Sequence, residues 1–177
     1  MVKKRPAVFL DRDGVLNIPK IKDGKSYAPL TKKKFRLYPF VIELCKKLKE
    51  KYLLVVVTNQ PDLKSGKLKK NELYSMHKSL KKKINYDALY YCSAKSKKAK
   101  NRKPNPGMLI KAIENLDINI KKSYLIGDRF SDIEAGSKLN CKTIFIDRNY
   151  KEIKPNYPNF VVKSFKQAAK LILNEKN

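Results

Sequence analysis

Short apolar runs that end on polar residues alternate along this chain with stretches whose apolar positions recur at helical spacing. "AVFLD" (7–11) is an apolar run closed by an acid, the pattern of a buried parallel strand. "LLVVVTNQ" (53–60) is the strongest strand, β-branched and uncharged. Further strands are predicted at "ALYYC" (88–92), "SYLIGD" (123–128), "KTIFID" (142–147) and "FVV" (160–162). Between them, "FVIELCKKLKEKY" (40–52) sets Val41, Leu44, Cys45 and Leu48 on one helix face. "KKNELYSMHKSLKKKI" (69–84) does the same with Leu73, Met76, Leu80 and Ile84. "NPGMLIKAIENL" (105–116) is a helix with Pro106 near its start, "RFSDIEAGSKL" (129–139) a short helix, and "SFKQAAKLIL" (164–173) a C-terminal one. The polar stretch Ile18 to Pro39 reads as loop.

This alternation predicts an α/β fold, a three-layer sandwich with a central parallel sheet and helices on both faces. No internal repeat or linker appears, so one domain over residues 1–177 is expected. Ligands of such sheets sit beyond the carboxyl ends of the strands. The residues that close each strand are therefore the candidates for chemistry.

Composition narrows the class. The chain has 177 residues and an ordinary 42% apolar share, enough for a real core. No stretch reaches the length of a membrane span, and the apolar run near the N-terminus is too short for a signal peptide. A cytoplasmic protein without membrane association is expected. Cys45, Cys92 and Cys141 are too few and too scattered for a disulfide framework; Cys45 and Cys141 read as small buried apolar residues. The net charge of +26 raises nucleic acid as a partner. Most of that charge is lysine spread through every segment, whereas base and phosphate readers lean on arginine forks. A genome-wide lysine bias accounts for the spread, and no nucleic-acid partner is expected.

The strand ends carry four clusters. "DRDGV" puts Asp11 and Asp13 two apart on extended chain, so both face one site. A bound cation or a shared proton would remove their repulsion. Gly14 lets the chain turn immediately afterwards. "TNQ" supplies Thr58, Asn59 and Gln60, suited to phosphate oxygens or to an ordinary turn. "RKP" supplies Arg102 and Lys103 just before a helix. "GDRFSD" supplies Asp128, with Asp132 one helical turn on, able to share a divalent ion or to cap the helix.

In this order, each at the correct end of its element, these motifs resemble the haloacid dehalogenase superfamily of phosphotransferases. "FLDRDGVLN", "VVVTNQ", "RKPNPGML" and "DGKSYAP" are most similar to its heptose bisphosphate and histidinol-phosphate phosphatases. The resemblance implies Asp11 as nucleophile, forming an aspartyl-phosphate, and Asp13 as general acid and then base. It implies Mg²⁺ on Asp11, Asp13, Asp128 and, less directly, Asp132. Thr58 and Lys103 would stabilise the transferred phosphoryl group. Arg12, Gly14, Asn59, Gln60, Arg102 and Arg129 would border the substrate. The substrate implied is a small phosphorylated sugar, D-glycero-D-manno-heptose 1,7-bisphosphate losing its 7-phosphate, in nucleotide-heptose and surface-polysaccharide synthesis. Histidinol phosphate is the rival, followed by a polynucleotide 3′-phosphate and by a non-catalytic basic binding module. A monomer is expected.

Two features shape the site. Neither inter-motif gap leaves room for a folded cap, so an uncapped, open site is expected. Specificity then falls to "NIPKIKDGKSYAPL" and "CSAKSKKAKNRK". Many relatives bind zinc ahead of "RKP" through Cys-x-His and Cys-x-Cys. Here only Cys92 stands; the other positions are Ala94, Ala99 and Asn101. One ligand in four cannot hold a tetrahedral zinc, so none is expected. His77, the lone histidine, is expected to be exposed or half-buried rather than a rescue ligand. Lys95, Lys97, Lys98 and Lys100 fill the loop, either as a solvated segment or as a second anion site.

Overall fold

The strand that opens the sheet, β1 (Ala7–Leu10), is buried on both faces, and its alternation assigns those faces. The structure is a computed structural model that describes residues 4–175; the ends of the expected 1–177 domain lie outside the described residues. Val8 and Leu10 pack with helices α1 (Val41–Lys49), α3 (Lys70–Ile84) and α6 (Phe165–Asn174). Ala7 and Phe9 pack on the other side with α4 (Gly107–Leu116) and α5 (Phe130–Ser137). Burying a residue such as Phe9 or Leu10 contributes about 1.5–3 kcal/mol. That is enough to anchor a strand end that must hold closely spaced acids.

The remaining strands are β2 (Lys20–Lys22), β3 (Lys25–Tyr27), β4 (Leu53–Asn59), β5 (Ala88–Cys92), β6 (Tyr124–Gly127), β7 (Lys142–Ile146) and β8 (Phe160–Val162). Five of them join β1 in one parallel sheet in the order β5-β4-β1-β6-β7-β8. The chain builds outward from β1 through β4 and β5, then returns to β6 on the other side. The sheet therefore reverses direction of growth between β1 and β6. That is the crevice where open α/β sheets bind ligands.

The predicted apolar faces are those observed: Val41, Leu44, Cys45 and Leu48 in α1, and Leu73, Met76, Leu80 and Ile84 in α3, are all buried. The three cysteines are buried and unbridged. No helix among the described residues is long and apolar enough to cross a membrane.

The segment read as loop between Ile18 and Pro39 is more ordered than expected. Strands β2 and β3 form an antiparallel hairpin with Lys20 opposite Tyr27 and Lys22 opposite Lys25. Asp23 and Gly24 turn it with φ of 53° and 76°, the left-handed pair of a type I′ turn. The "DG" dipeptide carried that signal, but exposed lysines in place of an alternating apolar face hid the strands. A short helix α2 (Pro61–Lys64), also not predicted, follows β4.

Candidate active site

Parallel neighbours β5, β4, β1 and β6 deliver their carboxyl ends to one place. Asp11 follows β1, Thr58 lies near the end of β4, Lys103 follows β5 and Asp128 follows β6. Residues nearly 120 positions apart in sequence thus meet because their strands are adjacent in the sheet.

Lys103 is the hub. It is 2% exposed, and its Nζ lies 2.6 Å from Asp11 Oδ1, 2.6 Å from Asp132 Oδ1 and 2.7 Å from the Val57 carbonyl. Three donors meet three acceptors, so the ammonium is fixed in direction as well as place. Asn59 holds the backbone beneath it: Lys103 N–H donates to Asn59 Oδ1 at 3.1 Å, and Asn59 Nδ2 donates to the Lys103 carbonyl at 3.0 Å. Asn59 lines the cavity, but its amide is committed to placing Lys103.

The acids outnumber this cation. Asp11, Asp128 and Asp132, all buried, bring one oxygen each within 4.8 Å of one another. Burial pushes Asp11 up to about 7; Lys103 pulls the other way, while Asp132 and Asp13 add to the rise. Burial, then Asp11 and Asp132, also raises Asp128 well above the carboxylate range. Burial pulls the Lys103 ammonium down, but Asp11 and Asp132 more than offset it and hold it above its ordinary value. Neither oxygen of Asp128 makes a hydrogen bond of good geometry among the described residues, although the Tyr150 hydroxyl stands close enough to act against the rise of that carboxyl. Buried, unsatisfied carboxylate oxygens beside a second carboxylate fit a hard divalent cation with oxygen ligands. Asp132 is less free: Oδ1 faces Lys103, and Oδ2 accepts the Arg129 backbone N–H at 3.0 Å as part of the cap of α5. The cap reading of Asp132 is thus realised, and its other oxygen is held by Lys103.

Asp13 lies in a separate network. Its oxygens accept from Gln60 Nε2 at 2.7 Å, Asn17 Nδ2 at 3.0 Å and the Arg12 guanidinium at 3.0–3.2 Å. Gln60 also donates to Thr58 Oγ1 at 2.9 Å. Gln60 and Arg12 are fully buried and absent from the cavity wall. Both were expected to border the substrate; they instead orient Asp13 from behind. His77 is another correction, being 7% exposed rather than exposed or half-buried. Its Nε2 lies 3.0 Å from Arg12 Nη1, so the buried guanidinium needs it as an acceptor.

That burial has a pH consequence. Desolvation first, then Arg12, lowers His77 to about 4. The unfolded chain takes up this proton near pH 6.5, and the fold refuses it until about pH 4. Stability from His77 is therefore complete above pH 6.5 and drains as pH falls through that window. Between about pH 7.5 and about pH 5, wild-type protein is expected to lose about 2 kcal/mol more than His77→Gln. Urea titrations of both proteins at the two pH values measure it, and parallel losses would refute it.

The cavity at the strand ends has a volume of about 260 Å³. Asp11, Asp13, Thr58, Lys103 and Asp132 form its floor, and Arg129, Glu152 and the β3 residues Lys25 to Tyr27 its wall. Arg129 donates to the Ser26 carbonyl and to Glu152, which also accepts from Ser26 N–H at 3.1 Å. The hairpin is thereby strapped against the site; this segment was expected to shape specificity, but as a loop, and Glu152 was not anticipated. Gly14 lies beneath the floor rather than on the wall, at φ +93°. A Cβ there would sit 1.7 Å from Asp128 Oδ2. Arg102 was expected at the substrate, but its Nη1 donates to the Ala94 carbonyl at 2.7 Å and it is absent from the cavity wall. Lys95, Lys97, Lys98 and Lys100 are absent from it too.

Over residues 8–165 the chain matches the family described as polynucleotide kinase 3 phosphatase. The chain belongs to this phosphatase family. It is 34% identical, over 81% of its length and 83% of the relative's, to D-glycero-alpha-D-manno-heptose-1,7-bisphosphate 7-phosphatase of Campylobacter jejuni. It is 31% identical, over 90% and 87%, to D-glycero-beta-D-manno-heptose-1,7-bisphosphate 7-phosphatase of Escherichia coli K12. Its fold is that of a D,D-heptose 1,7-bisphosphate phosphatase from B. bronchiseptica solved with magnesium and phosphate: TM-score 0.82, 21% identity, 97% of this chain and 99% of that one. The expected haloacid dehalogenase phosphatase fold is the one observed.

The phosphatase should tolerate no side chain at Gly14. Gly14→Ala is expected to displace Asp128 and lower phosphate release by about 10²-fold, comparable to removing one electrostatic stabiliser. Activity assays beside circular dichroism check this; full activity in a folded variant would refute it.

Proposed function

We propose that the protein is a Mg²⁺-dependent phosphomonoesterase that removes the 7-phosphate of D-glycero-D-manno-heptose 1,7-bisphosphate. The observation that carries the chemistry is Asp11. One of its oxygens is pinned by Lys103, which leaves the other to face the cavity and attack. The attack forms an Asp11 Oδ–P bond and breaks the P–O ester bond. Asp13 gives its proton to the departing alcohol oxygen, then takes one from the water that hydrolyses the aspartyl-phosphate. Gln60, Asn17 and Arg12 keep that carboxyl aimed in both steps. The Thr58 hydroxyl holds a transferred phosphoryl oxygen, and Lys103, its three donors already committed, supplies fixed positive charge beside it. Asp11 and Asp128, with the Asp13 backbone carbonyl, are the ligands we assign to Mg²⁺, and Asp132 positions Lys103. When bound, the ion supplies positive charge that offsets repulsion between a phosphate dianion and these acids. The residues work mainly by positioning and charge, which is what phosphoryl transfer requires.

The relatives' names support the heptose substrate. The family name and the +26 charge favour a 3′-phosphorylated nucleic acid as the second reading. One assay decides between them. Phosphate release is compared for heptose bisphosphate, histidinol phosphate and a 3′-phosphorylated oligonucleotide, with Mg²⁺ and with chelator. Heptose bisphosphate is expected to be preferred by about 10²-fold or more in kcat/KM, with chelator abolishing turnover. Preference for either competitor would overturn the substrate.

A further inference from the structure

A second cavity of about 390 Å³ opens beside the reaction pocket. Tyr27, Ala28 and Asp62 line both, so the two are adjacent. Lys20, Lys22, Lys34, Arg36 and Lys67 stand around the second cavity against a single acid, Asp62. None of these five cations forms an ion pair among the described residues. Like charges gathered around a concavity repel, and an anion seated between them removes that cost.

The hairpin links this groove to the chemistry. Lys20 pairs across it with Tyr27, and Lys22 with Lys25. Cross-strand partners, and residues two apart on one strand, share a face. One hairpin face therefore runs from Lys25 in the reaction pocket, past Tyr27 at the junction, to Lys20 and Lys22 in the groove. Ile18, Tyr27 and Leu30 are 45%, 46% and 38% exposed there, giving an apolar floor beneath the cations. Apolar lining with a few convergent charges is the usual make-up of a small-molecule site.

We propose that this groove is a second anion subsite. It receives a phosphate borne by the same substrate molecule whose other phosphate is transferred to Asp11, while the carbon skeleton lies over Tyr27. The inference rests on the phosphatase reading above and deepens it. It also moves the specificity cations from the Lys95–Lys100 loop, which borders neither cavity, to the hairpin.

The test uses Lys20→Ser/Lys22→Ser/Arg36→Ser and, should that variant misfold, Lys20→Glu alone on the exposed strand. KM for heptose 1,7-bisphosphate at low salt is expected to rise about 10-fold, with kcat unchanged and KM for heptose 7-phosphate unmoved. A variant with Ser at 95, 97, 98 and 100 is expected to match wild type. Equal effects on the two substrates, no effect, or a loss confined to the loop variant would overturn the subsite. So would a loss seen only with a 3′-phosphorylated oligonucleotide, which would mark the groove as a nucleic-acid track. Should wild type ignore heptose bisphosphate, the substrate reading falls by itself. The groove is then judged by calorimetric binding of a hexose 1,6-bisphosphate against the 6-phosphate. The subsite requires tighter binding of the bisphosphate and loss of that margin in the variant.

Discussion

Asp11→Asn is expected to lower phosphate release by about 10⁴-fold or more while the protein stays folded. An amide is isosteric with the carboxylate but cannot form the acyl-phosphate bond, so the covalent route closes. The fold should bear the change well. Asp11 is one of two buried acids that share the Lys103 ammonium, and burial already pushes it up to about 7. Removing its charge relieves repulsion on Asp128 and Asp132, and Lys103 keeps Asp132 and the Val57 carbonyl as partners. Stability at neutral pH is therefore expected to stay within about 1 kcal/mol of wild type. Single-turnover release with urea unfolding checks both halves. An active Asp11→Asn protein would remove the assigned nucleophile, and an unfolded one would contradict the charge argument.

Lys103→Met should do the opposite to stability. It keeps the length of the side chain and deletes the charge, leaving Asp11 and Asp132 facing each other and the Val57 carbonyl without its donor. Stripping one partner from a buried ion pair costs about 3–5 kcal/mol. Turnover is expected to fall about 10³-fold, since the transferred phosphoryl loses its fixed cation. Lys103→Arg should rescue little, because a planar guanidinium cannot point three donors at three converging acceptors. The paired signature of low activity and low stability separates this position from Asp11. A Lys103→Met protein as stable as wild type would show that the buried acids are already protonated and the charge ledger is different.

The two variants share one cause. On the proposed function, a site that receives a dianion and a divalent cation is assembled from groups that repel one another until those ligands arrive. The β1 strand, buried on both faces, supplies the anchorage that makes such crowding tolerable.

Much of this was legible in the chain alone. Alternation of "AVFLD", "LLVVVTNQ" and "SYLIGD" with helical stretches determined a parallel sheet, because only parallel strands buried on both faces carry continuous apolar runs. The polar residues closing those runs then determined which side chains reach the crevice. Asp11, Thr58 and Asp128 followed from order and position, whereas Lys103, well past the end of β5, came through the family resemblance. What the sequence could not carry was the direction in which a side chain spends its hydrogen bonds. Arg12, Gln60 and Arg102 sit in the right motifs, yet two turn inward to Asp13 and one to the Ala94 carbonyl. His77, expected to be exposed or half-buried, is drawn inside because the buried Arg12 guanidinium takes its ring nitrogen as a partner from α3. The hairpin is the clearest case. Its segment read as a specificity loop without strands, and only docking through Arg129 and Glu152 makes it a hairpin wall of the site. Local pattern determines what a segment can form; which of its polar groups face the ligand depends on partners distant in sequence, and those are settled only when the strands are laid side by side.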